Sequence, residues 1–145
     1  MVYRLTLKDI DWLRANYPGL QYIPDANIII GSFSFTAKFQ DKETITDEFD
    51  VKIDLDSLKN ERLPLVYEIG CKIKRIAKIH NLPLDNFHQY QNGELCLIRP
   101  DKIERWYKNG FVLKTFLEHL KTYFYWVCYK DRYGKEPWKG EKHGW

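Results

Sequence analysis

Apolar and polar residues alternate with a period of two through the first half of the chain. Between Ile28 and Phe39, Phe33, Phe35, Ala37 and Phe39 fall on one side and Ser32, Ser34, Thr36 and Lys38 on the other. After the polar turn Gln40-Asp41-Lys42-Glu43, Phe49, Val51, Ile53 and Leu55 alternate with Asp50, Lys52 and Asp54. Successive side chains of a strand point to opposite faces, so this pattern predicts two antiparallel strands, 28–39 and 44–55, each with one buried and one wet face. Leu20 to Ile23 reads as a shorter strand ahead of them, broken by Pro24-Asp25. Past the polar link Lys59-Asn60-Glu61-Arg62, Pro64 opens a further predicted strand, 65–73. Leu65, Tyr67, Ile69, Cys71 and Ile73 share one of its faces.

The flanks follow the helical period instead. Thr6 and Asp9 are spaced as a capping box, and Ile10, Leu13 and Tyr17 form the apolar stripe of a first helix that Pro18-Gly19 stops. Residues 76–87 show no regular period. A short helical piece is expected from Pro100 or Asp101 to Asn109-Gly110. A long helix follows from Phe111, with Leu113, Phe116, Leu117, Leu120, Phe124, Val127 and Cys128 on its apolar face and Gly134 as its stop. Residues 136–145 carry no periodicity. The reading is an α+β chain: helix, antiparallel meander, irregular segment, long helix. No repeat or low-complexity segment interrupts it, and 145 residues suit one domain, 1–145.

One stretch carries chemistry. In Phe87-His88-Gln89-Tyr90-Gln91-Asn92-Gly93-Glu94-Leu95-Cys96-Leu97, an Asn-Gly pair reverses the chain just ahead of a cysteine set between two leucines. Leucine anchors on either side leave the thiol facing the other way, fixed but reachable, as a nucleophilic or acyl-carrying sulfur must be. His88 lies eight residues before Cys96, and Asn92 is the amide side chain nearest the tip of the turn.

Tyr90-Gln91-Asn92-Gly93-Glu94-Leu95-Cys96-Leu97 resembles the active-site segment of ubiquitin-conjugating enzymes. The pattern there is His-Pro-Asn, a short turn ending in Gly, then x-Ile/Leu-Cys-Leu. The spacing from His88 to Cys96 is similar to that of the bacterial relatives. Gln89-Tyr90 stand where the eukaryotic enzymes have Pro-Asn, so the asparagine assigned to oxyanion stabilisation is missing. The element order also resembles that fold, which implies a ubiquitin-conjugating-like domain without the last two helices of the eukaryotic form. The tail looks like that of the bacterial relatives.

The resemblance implies a transferase. Cys96 would take the C-terminal carboxyl of a carried protein as a thioester, delivered by an activating enzyme, and pass it to a lysine amine. His88 and Asn92 are the side chains available to assist, and the chemistry calls for no cofactor and no metal. Bacterial members of the group serve anti-phage cyclic-nucleotide signalling operons, where the carried protein resembles a cGAS-like nucleotidyltransferase. Others serve conjugation operons that carry a ubiquitin-like protein. A module of the same fold that binds without catalysis is the reading from another class.

Composition narrows the field. Apolar residues make up 44% and charged residues 30%, the balance of a folded soluble chain. The net charge of +3 is small and its basic residues are interleaved with acids, which argues against nucleic acid. No apolar run approaches the roughly 20 residues that span a bilayer, so no membrane partner is expected. The N-terminus lacks the basic and apolar regions of a secretory signal, and three cysteines give no disulfide framework. Both point to reduced thiols in a cytoplasm.

The same residues have plainer uses. Cys71 and Cys128 fall on apolar faces and are expected in the core. His88 can brace its loop through backbone carbonyls, and Asn92 can serve as a positive-φ turn residue. Cys71, His80, His88 and Cys96 match no compact zinc spacing. No helix N-terminus is expected at Cys96 to activate it as in papain-like sites, and Glu94 opposes a thiolate there. Trp138, His143 and Trp145 could line a partner surface or belong to a frayed tail.

Overall fold

The computed structural model describes residues 3–97 and 100–138. Helix α1 spans Leu7–Asn16 and opens on the expected capping box. The Thr6 hydroxyl accepts from the Asp9 N–H at 3.1 Å, and the Asp9 carboxylate accepts from the Thr6 N–H at 3.0 Å. Four strands follow: β1 Leu20–Ile23, β2 Ile28–Ala37, β3 Ile45–Asp54 and β4 Leu65–Glu68. They pair in chain order as one antiparallel meander, with Phe33 opposite Phe49 and Gly31 opposite Val51. Gly31 has φ +137°, and a Cβ there would lie 2.2 Å from the Gly19 carbonyl oxygen, so the crossing of the β1 turn over β2 requires glycine.

The alternation sorts the faces as expected. Ile29, Phe33, Phe35, Phe49, Val51 and Ile53 are buried, while Ser32 and Thr36 on the other face hydrogen-bond across to Asp50 and Thr46 at 2.8 and 2.9 Å. Helix α4, Leu113–Tyr133, crosses the buried face and ends at Gly134 with φ +70°. Its Phe124 stacks on Phe49 with centroids 4.1 Å apart. The expected apolar residues of α4 are all buried, and so are Tyr123, Tyr125, Trp126 and Tyr129. The unbroken buried run Tyr123–Tyr129 turns through every side of the helix, so this stretch needs cover on its far side too. The 84–97 segment and Phe39 supply it: Tyr123 donates to the Phe87 carbonyl at 2.6 Å, and Phe39 meets Tyr125 edge-on. A short helix α3, Pro100–Trp106, precedes α4.

The predicted strand 65–73 is corrected. β4 stops at Glu68 and its faces are inverted: Val66 and Glu68 point inward, and Ile69 is exposed. The chain bends at Gly70-Cys71, with Cys71 left-handed at φ 57°, into helix α2, Lys72–Ile79. Part of the segment read as irregular is therefore helical. Ile73, Ile76 and Ala77 are its buried face. The bend is held by the buried Glu68 carboxylate, which accepts from the backbone N–H groups of Lys72 and Ile73, both at 3.0 Å. A negative charge on the first free N–H groups of a helix satisfies both the hydrogen bonds and the dipole. Cys71 consequently sits at the surface and not in the core, whereas Cys128 is buried as expected. Among the described residues no helix is long and apolar enough to cross a membrane. His143 and Trp145 lie outside the described residues.

Candidate functional site

Cys96 lies on a hairpin that extends the sheet edge at β4. The Leu95 N–H donates to the Val66 carbonyl at 2.8 Å, and the Glu68 N–H donates to the Gly93 carbonyl at 3.0 Å. Across the hairpin, Gln89 pairs with Leu95. The Tyr90 N–H reaches the Glu94 carbonyl, and the Cys96 N–H reaches the His88 carbonyl, each at 2.8 Å. Gly93, at φ +95°, makes the reversal. Asn92 does not take positive φ as expected. It is exposed, and its Oδ1 accepts from the Glu94 N–H at 3.0 Å, an Asx turn that pins the tip. Lys74 of α2 donates to the Gln91 carbonyl at 2.7 Å from outside.

Leu95 and Leu97 are buried and Cys96 is half-buried between them, the arrangement their sequence implies. The cysteine opens into a cleft of about 490 Å³ lined by Arg62, Leu63, Tyr90, Glu94, Ile103 and Phe116 among others. Burial pushes the Cys96 thiol above its ordinary range; a hydrogen bond from Tyr90 pulls it down and the Glu94 charge pushes it up. At neutral pH the resting sulfur is therefore a thiol. Such a sulfur is a restrained nucleophile and, were it acylated, a slow leaving group.

His88 shares the backbone of this site but not the cleft. It sits at φ 56° after a 3-10 turn, Leu84–Phe87, and its ring lies against the Trp126 indole with centroids 5.2 Å apart. Burial, with the Lys130 ammonium beside it, holds its imidazole below the ordinary range, while Glu136 and Asp85 oppose the shift. The structure thus joins His88 and Cys96 through the 2.8 Å backbone hydrogen bond, and joins the His88 side chain to α4. Asn92 is tied up within its own turn.

Three residues escaped the sequence reading. Tyr90 is exposed and lines the cleft beside Cys96. Its signal was the Asn-Gly turn: pairing 90 with 94 puts Tyr90 diagonally across from Cys96 on the same face, within reach of an aromatic side chain. Glu68 carried no signal, because a charged residue between apolar neighbours reads as the wet face of a strand. Asp47 lies in the core-facing row of β3 and gathers Lys72, Arg132 at 3.1 Å and the Cys128 sulfur at 3.4 Å, tying α2 and α4 to the sheet. Inside the hairpin base, the buried Gln89 amide donates to the Gly93 carbonyl at 3.0 Å.

Of the four residues weighed for zinc, His80 pairs with Asp131 at 2.8 Å and Cys71 faces out. Among the described residues no three His, Cys, Asp or Glu side chains converge as metal ligands would. No protein-family model, curated protein or solved structure matches the chain.

Proposed function

We propose that the protein is a transferase of the ubiquitin-conjugating type that carries an acyl group on Cys96. The observation that carries this reading is a half-buried, cleft-facing thiol on a hairpin clamped to the sheet edge by two backbone hydrogen bonds. The motif around Cys96 supports it, as does the succession of helix, four-stranded meander, cysteine hairpin and long helix, with α2 standing between meander and hairpin and α3 between hairpin and long helix. In charging, the Cys96 thiolate attacks the carbonyl carbon of an activated C-terminus. A new C–S bond forms, and the C–S bond to the donor thiol breaks. In discharge, a neutral lysine amine attacks that carbon, a C–N bond forms and the C–S bond to Cys96 breaks. The proton lost by the amine returns through solvent to the sulfur. On the same resemblance, the carried protein is a cGAS-like nucleotidyltransferase in anti-phage defence, with a ubiquitin-like protein as the alternative cargo.

The test is a covalent adduct. Expressed with its neighbouring genes, the chain gains a band shift that is lost on adding thiol, and Cys96→Ser turns it into a thiol-resistant ester or abolishes it. A shift that survives Cys96→Ala overturns the assignment. No shift with any neighbouring protein favours a binding module of the same fold.

A further inference from the structure

The carrier reading leaves open which side chain serves the sulfur. The asparagine of the related motif is missing, the His88 ring lies against Trp126, and Asn92 caps its own turn. Tyr90 remains. The Tyr90 N–H donates to the Glu94 carbonyl at 2.8 Å, and the Tyr90 carbonyl accepts from the Gly93 N–H at 3.0 Å, so its backbone is fixed at both polar groups. With 89 paired to 95, residues 90 and 96 lie on the same face of the hairpin as diagonal neighbours. Both line the same cleft, and Tyr90 is 56% exposed, so it borders the path by which a second reactant reaches the sulfur.

We propose that the Tyr90 hydroxyl is the catalytic hydrogen-bond donor to the Cys96 sulfur, favouring it as the attacking thiolate and again as the leaving thiolate. The proposal rests on the acyl-carrier reading for its second half only. The phenol keeps its proton throughout and donates a hydrogen bond each time the sulfur carries negative charge. It counters the groups that disfavour that charge, which are the apolar cover of Leu63, Leu97 and Phe116 and the Glu94 carboxylate. The other ionisable groups on the cleft are Glu61 and Arg62, with Arg62 engaged by Glu104. Tyr123 is the buried phenol behind the hairpin.

Two assays on wild type and Tyr90→Phe decide the matter. In the first, iodoacetamide alkylates Cys96 across pH 6 to 10 in a background where Cys71 is alanine. Removing the donor moves the midpoint of the rate profile to higher pH, and the thiolate fraction at pH 7.5 falls about five-fold, the worth of one hydrogen bond. In the second, a glycyl peptide α-thioester charges Cys96, and discharge to free lysine slows by a similar factor because the leaving thiolate has lost its donor. An unchanged alkylation midpoint overturns the proposal whatever the second assay gives. A shifted midpoint with discharge within two-fold of wild type overturns its leaving-group half. If wild type alkylates but never takes up the peptide, the carrier reading falls, and the alkylation profile still judges Tyr90. Because Tyr90 is exposed, its loss leaves the melting temperature within about 2 °C, so a change in rate reports chemistry and not folding.

Discussion

Replacing Glu68 tests the joint on which the cysteine hairpin depends. Glu68 is 3% exposed and its carboxylate accepts from two backbone N–H groups at the start of α2, both at 3.0 Å. In Glu68→Ala those N–H groups lose a charged partner in a place where water reaches poorly. A lost helix cap costs about 1 kcal/mol, and each buried hydrogen bond to a charged acceptor about 1.5–3 kcal/mol, with partial relaxation of the first turn recovering some of it. The expected loss is about 3–4 kcal/mol, a large share of a stability of about 5–15 kcal/mol. Glu68→Gln keeps one acceptor but turns an amide N–H toward a second donor, so about 2 kcal/mol is expected there. Urea unfolding followed by tryptophan fluorescence measures both, with the slope m unchanged if the native state stays compact. At about 3 °C per kcal/mol for a chain of this size, the melting temperature of the alanine variant falls by roughly 10 °C. The same residue's backbone N–H holds Gly93 at 3.0 Å, so Cys96 should also become more open to alkylation under native conditions. An alanine variant that loses less than about 1 kcal/mol would falsify the capping argument, and the bend at Cys71 would need another cause.

His88→Ala should lower the melting temperature and slow charging as much as discharge, because its ring joins the hairpin to α4 through Trp126; a loss of discharge alone, on the order of 100-fold, would reassign it to the oxyanion. Burial holds the imidazoles of both His88 and His119 below their ordinary range, so the unfolded chain takes up these protons first as pH falls. The stability they contribute is whole above about pH 6.5 and is lost as pH drops toward their folded-state values. Thermal melts at pH 7 and pH 5 should show that slope, and His88→Gln should flatten it. Cys71→Ala should change stability by less than about 0.5 kcal/mol, since the side chain is exposed. Cys128→Ala should cost about 1–2 kcal/mol, since it empties a core position and removes the sulfur from Asp47; equal effects at the two sites would contradict their placement.

The parts of the fold legible in the sequence are those whose signals are local. The Thr6–Asp9 box, the alternation through β2 and β3, the Gly134 stop and the Asn92-Gly93 reversal each lie within a few residues of the structure they specify, and each formed within about two residues of expectation. The same holds for Cys96, whose half-buried position follows from its leucine neighbours. Residues 65–73 failed for the same reason that the others succeeded. Apolar side chains at 65, 67, 69, 71 and 73 satisfy a strand, and Ile73, Ile76 and Ala77 satisfy a helix, so local pattern alone left the segment undecided. Tertiary structure settled it. A carboxylate inside the core is tolerated only where hydrogen-bond donors meet it, and the start of α2 supplies them to Glu68. Asp47 reached its inward place by the same rule, with Lys72 and Arg132 arriving from two helices far away in sequence. The side-chain direction of His88 was equally beyond local reading, because the surface that takes its ring is Trp126, a residue of α4, and only the packed fold brings the two together.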